Sequence, residues 1–218
     1  MVLVKICGIT NYPDAQAAVE AGANSLGLNF YPRSPRFIAK ADAAKIRIRL
    51  PGNVESVGVF VNASAADVAA LYRDVRFAAA QLHGDETSEV VKELSRLLKV
   101  VKAFRVDANF PLEKLEEYPE AAAFLLDAAE AGQFGGTGHT TDWDLARKAT
   151  ASHRIILAGG LTIENVGDAI RIVRPYGVDV ASGVESKPGR KDHGKVREFI
   201  QEVRRAGSQL DAAAAQNA

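Results

Sequence analysis

The sequence predicts an α/β fold: a single-domain (β/α)8 barrel, with a closed parallel eight-stranded sheet inside a ring of helices. Three observations predict it. Short runs rich in Val, Ile, Leu and Phe alternate with amphipathic stretches from one end of the chain to the other. Eight such runs fit along the 218 residues, and no linker or shift in composition divides them. Parallel strands joined by helical crossovers must bury both sheet faces, which points to closure into a barrel. An open doubly wound sheet is the competing arrangement, with its ligand at a reversal of strand order.

The strands are expected at 3–7, 25–30, 56–61, 77–82, 100–104, 122–126, 154–157 and 178–181. Between the first two, Pro13 suits a first helical turn. The alternating Ile-Arg-Ile-Arg-Leu of 45–50 could pass for a strand, and the alternation of elements makes it a helix. Val68, Leu71, Tyr72 and Val75 sit at i, i+3, i+4, i+7 behind Ser64, which with Asp67 can cap the helix. The poorly patterned segment 112–118 is placed as a helix on the same ground of alternation. Val166, Ala169, Ile170 and Val173 repeat the helical spacing, with Thr162 as the expected cap, and so do Val196, Phe199, Ile200 and Val203. The barrel is expected to occupy 1–205, and the Ala-rich 206–218, which lacks an apolar face, reads as a frayed or disordered tail.

Charge and cysteine usage narrow the function. Lys and Arg number 27 against 27 Asp and Glu, so no global positive field draws in a phosphate backbone or an anionic bilayer. Every apolar run is broken well short of the ~18 residues a spanning helix needs. The single cysteine, Cys7, cannot form an intrachain disulfide, and the N-terminus has no basic leader before an apolar stretch. A cytoplasmic protein is expected, acting on a small molecule rather than on nucleic acid or a membrane, as a monomer or homodimer.

In such a barrel the chemistry lies at the C-terminal ends of the strands. Cys7 ends the first, and its thiol at the mouth is a candidate nucleophile or base; a metal role lacks further ligands. Arg36 follows the second in a Pro-braced loop, placed to clamp a carboxylate. His83 follows the fourth, and Asp127 ends the apolar sixth, suited to act as an acid opposite Cys7. Gly159-Gly160 and Ser182-Gly183 follow the last two strands, where barrels commonly bind phosphate. Asp179 lies on the eighth strand, where it can line the barrel or bond a neighbouring loop, a structural role ahead of a chemical one. The Gly-rich stretch 133–139 has the composition of a lid, and the basic run Lys187, Arg190, Lys191 and Lys195 that of a solvated face or a weak attraction for an anion.

Several strings together resemble the phosphoribosylanthranilate isomerase family of tryptophan biosynthesis. They are Lys5-Ile6-Cys7-Gly8-Ile9-Thr10, Ser34-Pro35-Arg36, Val57-Gly58-Val59-Phe60-Val61-Asn62, Gln81-Leu82-His83-Gly84, Leu125-Leu126-Asp127, Gly135-Gly136-Thr137-Gly138, Asp142-Trp143, Ala158-Gly159-Gly160-Leu161, Asp179-Val180-Ala181-Ser182-Gly183-Val184-Glu185 and Lys187-Pro188-Gly189-Arg190-Lys191-Asp192. They keep the family's order to about Arg205. The resemblance implies a cofactor-free, metal-free Amadori rearrangement of N-(5-phosphoribosyl)anthranilate to 1-(2-carboxyphenylamino)-1-deoxyribulose 5-phosphate. It implies Asp127 as the acid that opens the furanose ring, Cys7 as the base at C2′ and Arg36 on the anthranilate. The two loops at Gly159-Gly160 and Ser182-Gly183 would take the phosphate. Apart from the resemblance, His83 and Asp179 are candidate substrate contacts by their place at the mouth. Ala128 and His139 stand where the family also carries Thr and Lys. Competing readings are another phosphosugar enzyme, such as an epimerase or an indole-glycerol-phosphate synthase, and a barrel that binds a phosphosugar without turning it over. The synthase would want a lysine acid at a strand end, and Lys5 does not end its strand.

Overall fold

The structure, a computed structural model, describes residues 1–107, 109–128 and 143–216. Eight parallel strands close in sequence order into one barrel: β1 (Leu3–Cys7), β2 (Ser25–Asn29), β3 (Glu55–Phe60), β4 (Ala79–Leu82), β5 (Lys99–Val106), β6 (Ala123–Ala128), β7 (Ile155–Leu157) and β8 (Gly177–Val180), with β8 pairing back onto β1. Each lies within two residues of its expected span at both ends. Among the described residues seven α-helices accompany them: α1 (Tyr12–Glu20), α2 (Lys40–Arg47), α3 (Ala65–Val75), α4 (Ser88–Ser95), α5 (Trp143–Ala149), α6 (Val166–Val173) and α7 (His193–Gln216). A small antiparallel hairpin, β9 (Glu185–Lys187) and β10 (Arg190–Lys191), rides above β8.

Residue alternation along the strands sorts side chains into two apolar clusters. Even-numbered Val4, Ile6, Leu26 and Leu28 face outward into the main core beneath the helices. Val101, Ala103, Ala123, Leu125, Ile156 and Ala158 form a separate cluster inside the barrel. Aromatic rings thicken the outer core on one side, where Phe30, Phe60 and Phe77 have centroids 5.4 to 6.1 Å apart. Phe77 thereby packs as core just before β4 rather than as its first residue.

Four local expectations are corrected. The helix expected at 45–50 starts at Lys40 and stops at Arg47, so Ile46 is buried while Ile48 is 84% exposed. The alternating pattern there arises from a helix end. Segment 112–118 is a 3-10 turn (Leu112–Glu117) pinned by buried Leu115. Ser64 does cap α3 by accepting from the Asp67 N–H, but Thr162 does not cap α6. Asn165 instead accepts from the Thr162 N–H and donates to the Gly160 carbonyl, tying the turn after β7 to the start of α6. Past Arg205 the chain continues as helix to Gln216, with Ala206 buried and Leu210 against the core. Alanine has the strongest intrinsic helix propensity, so the residues that looked like a tail extend α7.

Candidate active site

Strand parity and the closed register bring most of the sequence-predicted residues to one cavity at the C-terminal mouth. Cys7, Arg36, His83, Asp127, Gly159, Gly160, Asp179 and Ser182 all line it, and Gly183 packs directly behind. Stretch 133–139, His139, Asp142 and the side chain of Ala128 lie outside the described residues.

Cys7 is buried at 9% exposure, so its thiol forms part of the cavity floor and is less accessible than a rim position implies. Below it on the same strand, Lys5 extends into the interior and pairs with Asp179 Oδ1 at 2.9 Å, its cross-strand register partner on β8. Asp179 is thus held by a structural partner while it lines the cavity. Burial opposes the charge on Lys5, and Asp179 and Cys7 together outweigh it, so the ammonium is held above its ordinary range. Burial and then Asp179 push the Cys7 thiol up, while Lys5 and Lys191 work against the rise.

Arg36 is no loose surface arginine. Its Nε and Nη2 grip Glu185 Oε1 and Oε2 at 2.9 and 2.8 Å, a bidentate pair that leaves the Nη1 side for a ligand. Glu185 also receives Lys191 Nζ at 2.9 Å, and that ammonium donates to the Ala181 carbonyl at 3.0 Å. Lys191 therefore belongs to the buried framework, not to the solvated basic face expected of its run. Burial lowers Lys191 from its usual value; Glu185 resists burial through Arg36 and Lys191 and lies below the usual carboxylate range. The Lys191 N–H reaches Asp14 at the start of α1, linking this network to the first helix.

Across the cavity, His83 Nε2 is 3.3 Å from Asp127 Oδ2, and Gln81 Nε2 is 2.9 Å from His83 Nδ1. The first contact is long and off-line, so Nε2 has no hydrogen-bond partner and the interaction is electrostatic. The loops after β7 and β8 form one wall. Gly159 and Gly160 have φ of 84° and 62°, a left-handed turn that favours glycine, and a Cβ on Gly183 would fall 2.1 Å from the Leu161 carbonyl oxygen. The wall brings main chain close to the cavity, as an anion site at barrel loops requires.

Gln81, Glu185 and Lys191 complete the site without having been singled out as functional. All three sit inside the matched strings, and Gln81 also occupies the inward parity of a strand two residues before His83, which is the signal that could have found it. Among the described residues no cluster of His, Cys, Asp or Glu could hold a metal ion, and no helix is long and apolar enough to cross a membrane.

A family model for N-(5′-phosphoribosyl)anthranilate isomerase matches residues 4–202. The chain belongs to the phosphoribosylanthranilate isomerase family. It is 50% identical over 207 residues to the isomerase of Trichlorobacter lovleyi, covering 94% of this chain and all of that one. To that of Geobacter sulfurreducens it is 48% identical over 204 residues, covering 94% and 99%. Among solved structures, the Thermotoga maritima phosphoribosylanthranilate isomerase superposes with a TM-score of 0.88 at 41% identity, covering 94% of this chain and 99% of that one. A phosphoribosylanthranilate isomerase in complex with reduced 1-(o-carboxyphenylamino)-1-deoxyribulose 5-phosphate matches with a TM-score of 0.84 at 40% identity over the same shares. Membership assigns this chain the isomerisation of phosphoribosylanthranilate in tryptophan biosynthesis.

Proposed function

We propose that this phosphoribosylanthranilate isomerase works by an internal aldose-to-ketose proton shuttle between Asp127 and Cys7. The observation that carries the reading is that the two side chains, from β6 and β1, line one cavity together with Arg36 and the glycine-turn wall. Asp127 gives its proton to the furanose ring oxygen as the C1′–O bond breaks, and the nitrogen lone pair forms the iminium. The Cys7 thiolate then takes the C2′ proton; the C–H electron pair becomes the C1′–C2′ double bond and the iminium π pair returns to nitrogen. Tautomerisation of this enolamine to the ketone completes the rearrangement. Each step moves only protons between side chain and substrate and electron pairs within the substrate, which is general acid–base chemistry.

Arg36 holds the anthranilate carboxylate with the edge of its guanidinium turned from Glu185, and Glu185 supplies the rigidity such a clamp needs. The loops at Gly159-Gly160 and Ser182-Gly183 take the phosphate. His83 faces the acid, and Asp179 meets the substrate from beneath Cys7 through its pairing with Lys5. The zero net charge and lone thiol support a cytoplasmic enzyme whose partner is a phosphorylated small molecule, working as a monomer or homodimer. The barrel to Arg205 acts as one catalytic domain, to which the rest of α7 is an extension.

The test is loss of anthranilate fluorescence from freshly generated phosphoribosylanthranilate. Cys7→Ala and Asp127→Asn are each expected to lower kcat by ~10²–10⁴-fold with a much smaller change in KM. Turnover near wild type in either variant removes that residue from the mechanism.

A further inference from the structure

Ser34 lines the mouth without a task in the proton shuttle, and the loop that carries it leaves its hydroxyl one way to bond. β2 ends at Asn29, whose Oδ1 accepts from the Tyr31 main-chain N–H at 2.9 Å. A main-chain N–H can only donate, so this contact fixes which end of the amide is oxygen. The other end, the NH2 group, therefore meets Ser34 Oγ at 3.1 Å as a donor. The Arg36 main-chain N–H reaches the same oxygen, also at 3.1 Å.

A serine hydroxyl has two lone pairs and one hydrogen. Here both lone pairs are taken, by Asn29 and by the Arg36 N–H, and among the described residues nothing accepts the hydrogen. The hydroxyl is a donor held ready for an acceptor in the cavity that Ser34 shares with Arg36. Its surroundings are stiff. The Ser34 N–H bonds the Tyr31 carbonyl at 3.0 Å, the Phe37 N–H the Ser34 carbonyl at 3.1 Å, and the Ile38 N–H the Asn29 carbonyl at 2.9 Å. A ligand group that only donates gains nothing there, whereas a carboxylate oxygen gains a charge-assisted hydrogen bond.

We propose that Ser34 is a specificity-determining residue for the isomerisation, its hydroxyl donating to the aryl carboxylate of the substrate beside the Arg36 guanidinium. This rests on Arg36 holding that carboxylate. The two contacts differ in kind: Arg36 supplies charge braced by Glu185, and Ser34 a neutral donor of fixed direction. A ring without the carboxylate forfeits both.

The experiment measures, by isothermal titration calorimetry, the Kd of two unreactive product analogues. They are 1-(2-carboxyphenylamino)-1-deoxypentitol 5-phosphate and the same compound without its carboxylate, each on wild type, Ser34→Ala, Arg36→Met and the double variant. Ser34→Ala is expected to weaken the carboxylated compound about 10-fold and the other by less than about twofold. A loosened loop would act on the carboxylate through Arg36, and the double variant separates that route from a direct bond. In the Arg36→Met background Ser34→Ala is expected to cost the carboxylated compound about fivefold more. Equal weakening of both compounds overturns the proposal, as does the absence of any further loss in the double variant. Should Ser34→Ala not fold, Ser34→Cys, which keeps the shape with a far weaker donor, takes its place with the same expected pattern. Failure of the clamp reading looks different: Arg36→Met then leaves the carboxylated compound bound as in wild type, and the proposal falls with it.

Discussion

Replacing Glu185 by Gln tests whether the Arg36 clamp is built on a buried charge network. The substitution keeps the side-chain shape and removes the negative charge that two cations share: Arg36 through two contacts at 2.9 and 2.8 Å, and Lys191 through one at 2.9 Å. The Lys191 side chain has no exposed surface, and that of Glu185 only 4%. Removing one member of a buried pair and leaving the other charged costs about 3–5 kcal/mol. In a domain of this size each kcal/mol corresponds to roughly 2–4 °C, so Tm is expected to fall by about 6–20 °C. The assay is urea unfolding followed by circular dichroism, with KM measured in parallel. Because the Glu185 carboxyl is held below its unfolded value, its contribution is present above the ordinary carboxylate range and is lost as pH falls through the depressed value. The gap between wild type and variant is therefore widest near neutral pH and closes in acid. A loss under 1 kcal/mol with unchanged KM would refute the reasoning.

Arg36→Met should raise KM by ~10-fold or more while kcat changes less, and an unchanged KM would place the anthranilate clamp elsewhere. The pH at which Cys7 becomes half-reactive toward a small alkylating agent should lie above the ordinary thiol range. Lys5→Met, which removes a cation favouring thiolate, should move it up, and Asp179→Asn should move it down; shifts in the same direction would exclude the pair as the source of the field. Gly27→Ala puts a Cβ 2.6 Å from the Cys7 sulfur and 3.0 Å from its Cα, so kcat should fall even where the fold is kept; full activity would mean that Cys7 tolerates displacement.

The eight strands were legible because runs such as Ile155–Leu157 and Glu55–Phe60 combine apolar composition with spacing that only a βα repeat explains. The mouth followed from parity and strand ends, which is why Cys7, His83 and Asp127 could be placed together before any coordinates. Less legible were features decided by packing between distant segments. Leu112–Glu117 became a 3-10 turn because buried Leu115 anchors it, and α7 outran its expected end because Ala206 and Leu210 meet the core. The grip of Glu185 on Arg36 spans 149 positions and depends on a hairpin that no periodicity announces. Lys191 reads as solvated because it belongs to a basic run with Lys187 and Arg190, and only the fold, which exposes those two and buries Lys191, distinguishes it from them.

The two apolar clusters share the same strands but belong to opposite faces of the barrel wall, and this divides the effects of mutation. On β1, Ile6 is outer core and Cys7 faces the cavity; on β6, Leu126 is outer core and Asp127 faces the cavity. A saturation scan that records abundance and turnover separately should show the two phenotypes alternating with a period of two along the strands. The scaffold can then accumulate stabilising changes on one parity while the other is free to be rewritten for a new substrate.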